Sequence, residues 1–157
     1  MRKLTYLFLF FTILSCTESI PETDFARSNW GDTYNEIKST YQNEAEFVAS
    51  TDMISYQIQS IKDTALVSFI FADDKLVSGV VKYHKKSAKD TKKLYDAYVK
   101  INRDKFGFET FLGNPKMYED KKIEQKIWQD DVTMVSIRLD NYQLEIKFYD
   151  KAKMPRD

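Results

Sequence analysis

The apolar residues of this chain follow one order that occurs twice: a helical period, then three segments in which apolar and polar residues alternate. A period of 3.6 indicates an amphipathic helix, and a period of two indicates a strand with one buried face. Helices that gather on one face of a sheet are typical of α+β folds. We therefore predict an α+β two-layer sandwich, a tandem α-β-β-β repeat whose antiparallel sheet carries two helices on one face.

The first half of this pattern covers about residues 30–84. Thr33 and Glu36 have the spacing of a capping box, in which each side chain satisfies the other residue's backbone N–H. Ile37 and Tyr41 then fall on one face of a helix. Three strands are predicted over about 54–59, 64–71 and 76–83. The pair Asp73-Asp74 predicts a turn between the last two, because Asp bonds its own backbone and tolerates unusual dihedrals.

The second half covers about residues 88–150. A helix is predicted from about Asp90 to Phe106, with Gly107 as its cap. Its apolar stripe consists of Leu94, Ala97, Tyr98 and Ile101. Gly113-Asn114-Pro115 is predicted to be a loop, and three strands follow over about 122–128, 132–139 and 142–149.

Short sequence matches support a repeat. Leu66–Ile70 corresponds to Met134–Arg138, and Val81–Tyr83 corresponds to Ile146–Phe148. The alternative is that any two amphipathic hairpins look alike. The side chains expected to face the helices are Val67, Phe69, Phe71, Val81 and Tyr83 in the first half and Val135, Ile137, Leu139, Leu144, Ile146 and Phe148 in the second.

The opposite face of the sheet differs between the halves. In the second half it is expected to be an ordinary solvated face, carrying Ser136, Arg138, Glu145, Lys147 and Tyr149. In the first half it carries Leu66, Ile70, Leu76 and Val80, which are too apolar for open water. Either the N-terminal segment or a loop covers these residues, or they form a partner-binding face.

The N-terminus has the layout of a secretory signal. Arg2 and Lys3 precede an uncharged apolar run that is too short to span a bilayer, and the small Ser15 stands before Cys16, the only cysteine. Ile13–Cys16 resembles a bacterial lipobox, which implies cleavage before Cys16 and attachment of acyl chains, such as palmitate, to that residue. An ordinary secreted protein with a stray cysteine and an uncleaved N-terminal anchor are the alternatives.

Three segments follow from this interpretation. Residues 1–15 are the signal peptide, residues 16–26 are a lipid-anchored tether with a helix-breaking Pro21, and residues 27–157 are a single α+β domain. Without a second cysteine, packing has to hold the core. We expect a bacterial envelope location with the membrane reached through acyl chains on Cys16. Thr17 is not the aspartate that often marks inner-membrane retention, which favours the outer membrane.

A second resemblance concerns the start of the domain. Trp30–Lys38 resembles the W-G-x-[ST]-x-x-E-[VI]-K opening of small bacterial lipoproteins. The helix, the hairpin and the Gly113-Asn114-Pro115 segment are similar to the BamE family of outer-membrane assembly lipoproteins and to β-lactamase-inhibitor-like folds of tandem helix-plus-sheet units. These resemblances imply an architecture and a binding role, and they transfer no site residue.

Chemical motifs are scarce. No nucleophile elbow, phosphate loop or dinucleotide fingerprint occurs. His84 is interpreted as a solvent-facing strand residue, and the acid pairs Asp73-Asp74, Asp130-Asp131 and Glu119-Asp120 as turn residues. Trp30 and Trp128 are interpreted as packing residues. We therefore predict no catalytic residue, metal site or cofactor.

Charge also limits the partners. The chain has 24 basic and 24 acidic residues, which gives no field that favours nucleic acid. One basic cluster occurs, for which a solvated surface is favoured over contact with lipid headgroups; it consists of Lys82, Lys85, Lys86, Lys89, Lys92 and Lys93.

Three functions remain open at this stage. The leading hypothesis is a non-enzymatic binding or accessory lipoprotein with an envelope protein as its partner. The second is an inhibitor or immunity-type protein that blocks a secreted hydrolase. The third is an enzyme, which would require Asp73, Asp130 or Tyr149 to meet in one deep pocket.

Overall fold

The computed structural model describes residues 23–59, 64–118 and 121–154, and side chains in these ranges outside 111–124. Within them, eight antiparallel strands form one sheet in the order β1-β2-β3-β4-β8-β7-β6-β5. The strands are β1 (Ala45–Ala49), β2 (Met53–Gln59), β3 (Thr64–Ala72), β4 (Lys75–His84), β5 (Phe111–Tyr118), β6 (Lys121–Gln129), β7 (Thr133–Asp140) and β8 (Gln143–Asp150). The helices are α1 (Tyr34–Thr40) and α2 (Ala88–Phe106), and a short 3₁₀ turn covers Lys151–Lys153. This confirms the mixed α+β class.

The sequence predicted three strands after each helix, but four strands follow each helix in the structure. The prediction therefore missed two strands. The strand β1 is exposed at all five positions, so it has no buried face to produce an alternating pattern. The strand β5 contains Gly113-Asn114-Pro115, and its pairing with β6 shifts between Gly113 and Lys116. The predicted loop is therefore an irregularity within an edge strand, where proline is tolerated.

The first helix begins as predicted. The Glu36 N–H donates to Thr33 Oγ1 at 3.3 Å, and the Thr33 N–H donates to Glu36 Oε2 at 2.7 Å. This reciprocal pair confirms the capping box. Ile37 and Tyr41 are almost completely buried, which confirms the apolar face of α1.

The apolar stripe predicted for α2 is wrong by about one position. The fully buried residues of this helix are Thr91, Tyr95, Val99 and Asn102. Leu94 and Tyr98 of the predicted stripe are half-buried, and Ala97 and Ile101 are exposed. Thr91 and Asn102 are polar, but each bonds a carbonyl of its own helix, so both can turn towards the sheet.

Each helix packs against the strands that follow it. The first core cluster joins Ile37 and Tyr41 to residues of β2, β3 and β4, and the second joins Tyr95 and Val99 to residues of β6, β7 and β8. Val81, Tyr83 and Phe148 contact both clusters. Every side chain predicted to face the helices belongs to, or packs against, one of these clusters.

The domain begins earlier than predicted. Phe25, which was assigned to the tether, is 2% exposed and belongs to the first core cluster. Phe25 and Ser28 exchange two backbone hydrogen bonds of 2.9 and 2.8 Å, which closes a tight turn. Phe25 therefore belongs to the folded domain rather than to the predicted tether, while Cys16 and residues 1–15 lie outside the described residues.

Candidate functional site

The strand register places a row of large side chains across the sheet face opposite the helices. Met53 pairs with Ile70, Ile70 with Ser78, Ser78 with Tyr149, and Tyr149 with Met134. Met53, Ile70, Met134 and Tyr149 are all half-buried. We call the side of the sheet that carries this row the helix-free face, since neither described helix packs on it.

A second row on this face consists of four small side chains and one lysine. Ser55 pairs with Ser68, Ser68 with Val80, Val80 with Lys147, and Lys147 with Ser136. The hydroxyls of Ser55 and Ser68 form a hydrogen bond of 2.8 Å.

The third row is charged at its centre. Leu66 pairs with Lys82, Lys82 with Glu145, and Glu145 with Arg138. The ammonium of Lys82 lies 3.3 Å from one carboxylate oxygen of Glu145, and that of Lys147 lies 3.2 Å from the other. The helix-free face therefore has an apolar row on one side and an ion-paired row on the other.

Three of the four residues predicted for the partner-binding face lie here. Leu66 and Ile70 are half-buried, and Val80 is 8% exposed. Leu76 is different, because it is completely buried in the first core cluster. A register shift beside Ile70 and Phe71 makes Leu76 pair with Phe71, so this bulge turns Leu76 to the helix side.

The second half contributes more to this face than the sequence indicated. Tyr149 was assigned to a solvated surface, and Met134 was given no role. The register with β4 places Tyr149 beside Ser78, and Ser78 in turn lies beside Ile70 on β3. The three residues therefore lie in one row across the sheet. No local signal could reveal this, because adjacency across β4 and β8 depends on pairing between segments about 70 residues apart.

A second feature is an apolar cavity of about 290 Å³ on the helix side of the sheet. The cavity lies where the two core clusters meet, beside the central pair β4 and β8, in which Val81 lies opposite Ile146. The first half lines the cavity with Ile58, Ala65, Val67, Val81 and Tyr83, and the second half with Tyr98, Ile146 and Phe148. Phe25 and Ala26 complete the wall.

The polar side-chain atoms of this cavity wall belong to two tyrosines. The hydroxyls of Tyr83 and Tyr98 lie 2.6 Å apart and form a hydrogen bond. Burial, together with this bond, raises the pKa of Tyr98 well above its usual range. The Tyr98 hydroxyl therefore keeps its proton at physiological pH.

A carboxylate is held tightly beside the end of α2. Glu109 Oε1 accepts hydrogen bonds from Arg103 Nε at 3.0 Å, Arg103 Nη2 at 2.6 Å and Lys126 Nζ at 2.7 Å. The Glu109 side chain is only 5% exposed. Burial opposes its ionisation, but the bonds from the two cations outweigh that cost and lower its pKa to about 2. This arrangement fastens α2 to β6 through one oxygen of the Glu109 carboxylate.

The other residues singled out in the sequence are dispersed. His84 is exposed at the end of β4. Asp73 and Asp74 form the β3–β4 turn with φ values of +51° and +60°, as predicted for turn residues. Asp130 Oδ1 accepts from the backbone N–H groups of Val132 and Thr133 at 2.8 and 2.7 Å, which is also turn chemistry. Glu119-Asp120 lies outside the described residues.

The basic cluster is partly neutralised by its neighbours. Lys82 pairs with Glu145, Lys92 pairs with Asp96 one helical turn away, and Lys93 lies 3.9 Å from Asp90. Within the described ranges, no group of three or more His, Cys, Asp or Glu residues is placed to hold a metal ion.

The two tryptophans occupy different environments. Trp128 is fully buried in the second core cluster. Trp30 is half-buried, stacks on Phe25 with ring centroids 6.3 Å apart, and donates from Nε1 to Thr133 Oγ1 at 2.9 Å. Both therefore have the packing role predicted for them.

No protein-family model, curated protein or solved structure matches this chain. Among the residues that the structure describes, no helix is both long enough and apolar enough to cross a bilayer.

Proposed function

We propose that this protein is a lipid-anchored lipoprotein of the bacterial cell envelope that binds a protein partner, without catalysis, through the helix-free face. One observation supports this most directly: the row formed by Met53, Ile70, Ser78, Tyr149 and Met134 crosses five strands with no described helix above it. A row that is apolar at four of its five positions, on a face that neither described helix covers, favours an interaction site.

The chemistry of the face suits a protein partner. Interface centres are enriched in aromatic residues and Met and are surrounded by a polar rim. Here Tyr149 and the two methionines lie beside the ion-paired residues Lys82, Glu145 and Lys147. The charged row would set the orientation of the partner, while burial of the apolar row would supply most of the binding free energy.

The anchor rests on the lipobox resemblance of Ile13–Cys16. Cys16 precedes Phe25, the first buried residue of the described part of the chain, by nine positions, and an extended chain of nine residues reaches about 30 Å. Acyl chains on Cys16 would therefore keep the domain close to a membrane, for which we favour the outer membrane. Replacement of Cys16 by Ser should abolish labelling of the protein with an alkyne analogue of palmitate in cells.

We also propose that the fold is a two-layer tandem repeat of one helix followed by four strands. The element order and the sheet order, in which β4 meets β8, support a pseudo-twofold arrangement. Val67 pairs with Val81, while Val135 pairs with Phe148. In this repeat Val81 therefore corresponds to Phe148 rather than to Ile146.

Site-specific photo-crosslinking in the native envelope tests the binding function. A photoreactive amino acid is placed at Met53, Ile70 or Met134 on the helix-free face, and at Lys89 or Lys100 on the exposed side of α2 as matched controls. We expect one discrete protein adduct from the sheet positions and none from the helix positions.

A charge substitution provides the second arm of the same test. Ile70→Asp should abolish the adduct formed from position 134 while leaving the melting temperature within a few degrees of that of the unaltered chain, because Ile70 lies outside both cores. Equal adducts from sheet and helix positions, or an adduct that persists in Ile70→Asp, would contradict the proposed contact.

The alternative of an inhibitor or immunity-type protein uses the same face. The identity of the adduct distinguishes the two: a secreted hydrolase whose activity falls in a one-to-one mixture with this protein supports inhibition. An envelope protein without such an effect supports the accessory role.

A further inference from the structure

We propose that the apolar cavity between the halves binds a single long acyl chain, carried either by a free fatty acid or by the lipid on Cys16. This site is separate from the helix-free face, because the sheet lies between them. The proposal for the free fatty acid does not depend on the proposed function, whereas the one for the chain's own lipid rests on acylation of Cys16.

The lining decides which class of ligand fits. Eight of the ten lining residues carry no polar side-chain atom, and the two exceptions are Tyr83 and Tyr98. A water molecule needs two to four polar partners, so most of this space offers water nothing to bond. The volume of about 290 Å³ is close to the lower limit of ligand pockets, so the site takes a small apolar ligand or part of a longer acyl chain.

The cavity is accessible from outside. Ile58, Val81, Tyr83, Tyr98 and Phe148 each line it and each retain partial solvent exposure. Apolar side chains exposed in this way favour an apolar ligand that displaces the water next to them. A sealed packing defect would not leave its wall residues exposed.

The tyrosine pair provides a polar contact for one end of the ligand. Tyr83 and Tyr98 share one hydrogen bond of 2.6 Å, which uses one of their two hydroxyl protons. The other proton is available to an oxygen of a carboxyl or ester group. Because the pKa of Tyr98 is raised by burial and by Tyr83, this donor persists across physiological pH.

Photoaffinity labelling tests the proposal. The full chain carrying Cys16→Ser, which has no acyl chain of its own at this position, is purified and irradiated with a diazirine analogue of palmitic acid. We expect saturable labelling that maps to peptides containing cavity residues such as Ala65 or Tyr98, and competition by unlabelled palmitic acid.

Two substitutions on one strand provide a matched control. Ala65→Phe places a ring in the cavity and should reduce labelling at least about tenfold, whereas Ala72→Phe, at an exposed position of β3, should leave it unchanged. Circular dichroism shows whether each variant is folded. If Ala65→Phe does not fold, Tyr98→Phe takes its place, since it retains the ring and removes one hydroxyl; we expect affinity to fall several-fold.

A second arm distinguishes the two sources of the acyl chain. Cells that produce the unaltered chain are fed the same diazirine palmitate, so that the lipid on Cys16 carries the photoreactive group. An intramolecular adduct on the cavity peptides assigns the site to the chain's own lipid, and its absence together with labelling of the Cys16→Ser chain assigns it to a free fatty acid. If labelling does not saturate, maps elsewhere, or is equal in Ala65→Phe and Ala72→Phe, the proposal is wrong.

Discussion

The aromatic ring of Phe25 lies directly on the backbone of Gly79, in the space that a Cβ at position 79 would occupy. This contact joins the N-terminal turn to the central strand β4. Phe25 also contacts Phe69 and Phe148, with ring centroids 5.2 and 5.1 Å away. The missing side chain of Gly79 is therefore what allows the segment after the predicted tether to enter the core.

A double-mutant cycle should measure this relationship. Gly79→Ala forces the ring of Phe25 out of place and should lower the free energy of unfolding by about 1–3 kcal/mol. Phe25→Ala should lower it by about 3–5 kcal/mol through lost burial. In the double variant, Gly79→Ala should cost much less, because its clash partner is gone. Urea denaturation gives all three values, and strict additivity would show that the two residues are not coupled.

The bulge in β4 leads to a second prediction about two leucines. Leu76 is completely buried on the helix side, while Leu66 is half-buried on the helix-free face. Leu76→Ala should therefore cost about 2–5 kcal/mol of unfolding free energy, and Leu66→Ala about 1 kcal/mol or less. Similar losses in chemical denaturation would mean that the bulge does not turn Leu76 inwards.

The Glu109 ion pair predicts a dependence of stability on pH. The pKa of Glu109 is lowered to about 2 in the folded protein, against about 4.3 for a glutamate in an unfolded chain. A lowered folded-state pKa means that its stabilisation is complete above the unfolded value and is lost as pH falls towards 2. We expect Glu109→Gln to cost about 1.5 kcal/mol at neutral pH.

The same variant provides the control for this pH effect. The difference in unfolding free energy between the unaltered chain and Glu109→Gln should be constant above about pH 5 and should shrink as pH falls from about 4.3 towards 2. Lys93→Gln, whose ion pair with Asp90 is exposed, should show almost no difference at any of these pH values. A difference for Glu109→Gln that stays constant down to pH 2.5 would contradict the lowered pKa.

The turn that precedes α1 stores backbone strain. Ala26 and Arg27 have φ values of +44° and +66°, where a residue with a Cβ is disfavoured by about 1–2 kcal/mol. The turn is held by a hydrogen bond from the Tyr41 hydroxyl to the Ala26 carbonyl and by Arg27, which lies 4.6 Å from the centre of the Tyr41 ring.

Relief of this strain should stabilise the protein. Ala26→Gly should raise the thermal midpoint. The corresponding gain in unfolding free energy is about 0.5–1 kcal/mol once the greater chain entropy of glycine is subtracted. Ala49→Gly, within β1, should lower the midpoint by a comparable amount, since glycine weakens strands. A lower midpoint for both variants would show that position 26 is not strained.

Local pattern was sufficient for most elements. The two helices and six of the strands follow from residues that lie within one or two turns or along a single strand, such as the Thr33–Glu36 capping box. The strands β1 and β5 were not predicted, because β1 is exposed at every position and β5 is interrupted by Gly113-Asn114-Pro115. A strand exposed at every position, such as β1, lacks the one-sided burial from which periodicity arises.

The candidate site was only partly predictable. The residues alone indicated that Leu66, Ile70 and Val80 share an apolar side of their strands, because alternation is a property of each strand. They could not place Leu76, since the bulge beside Phe71 becomes visible only when β3 and β4 are paired. They also could not connect Tyr149 and Met134 to Ile70, because that row depends on register between strands distant in the chain.

Local sequence patterns and non-local packing thus determine different parts of this structure. Periodicity, capping and turn chemistry act over a few residues, so the α+β class and the apolar side of most strands can be derived from the order of the residues. The opposition of Val81 and Ile146, the cavity beside them and the contact of Phe25 with Gly79 are non-local. They are decided by how segments far apart in the chain pack, because shape and register emerge only when the whole sheet is assembled.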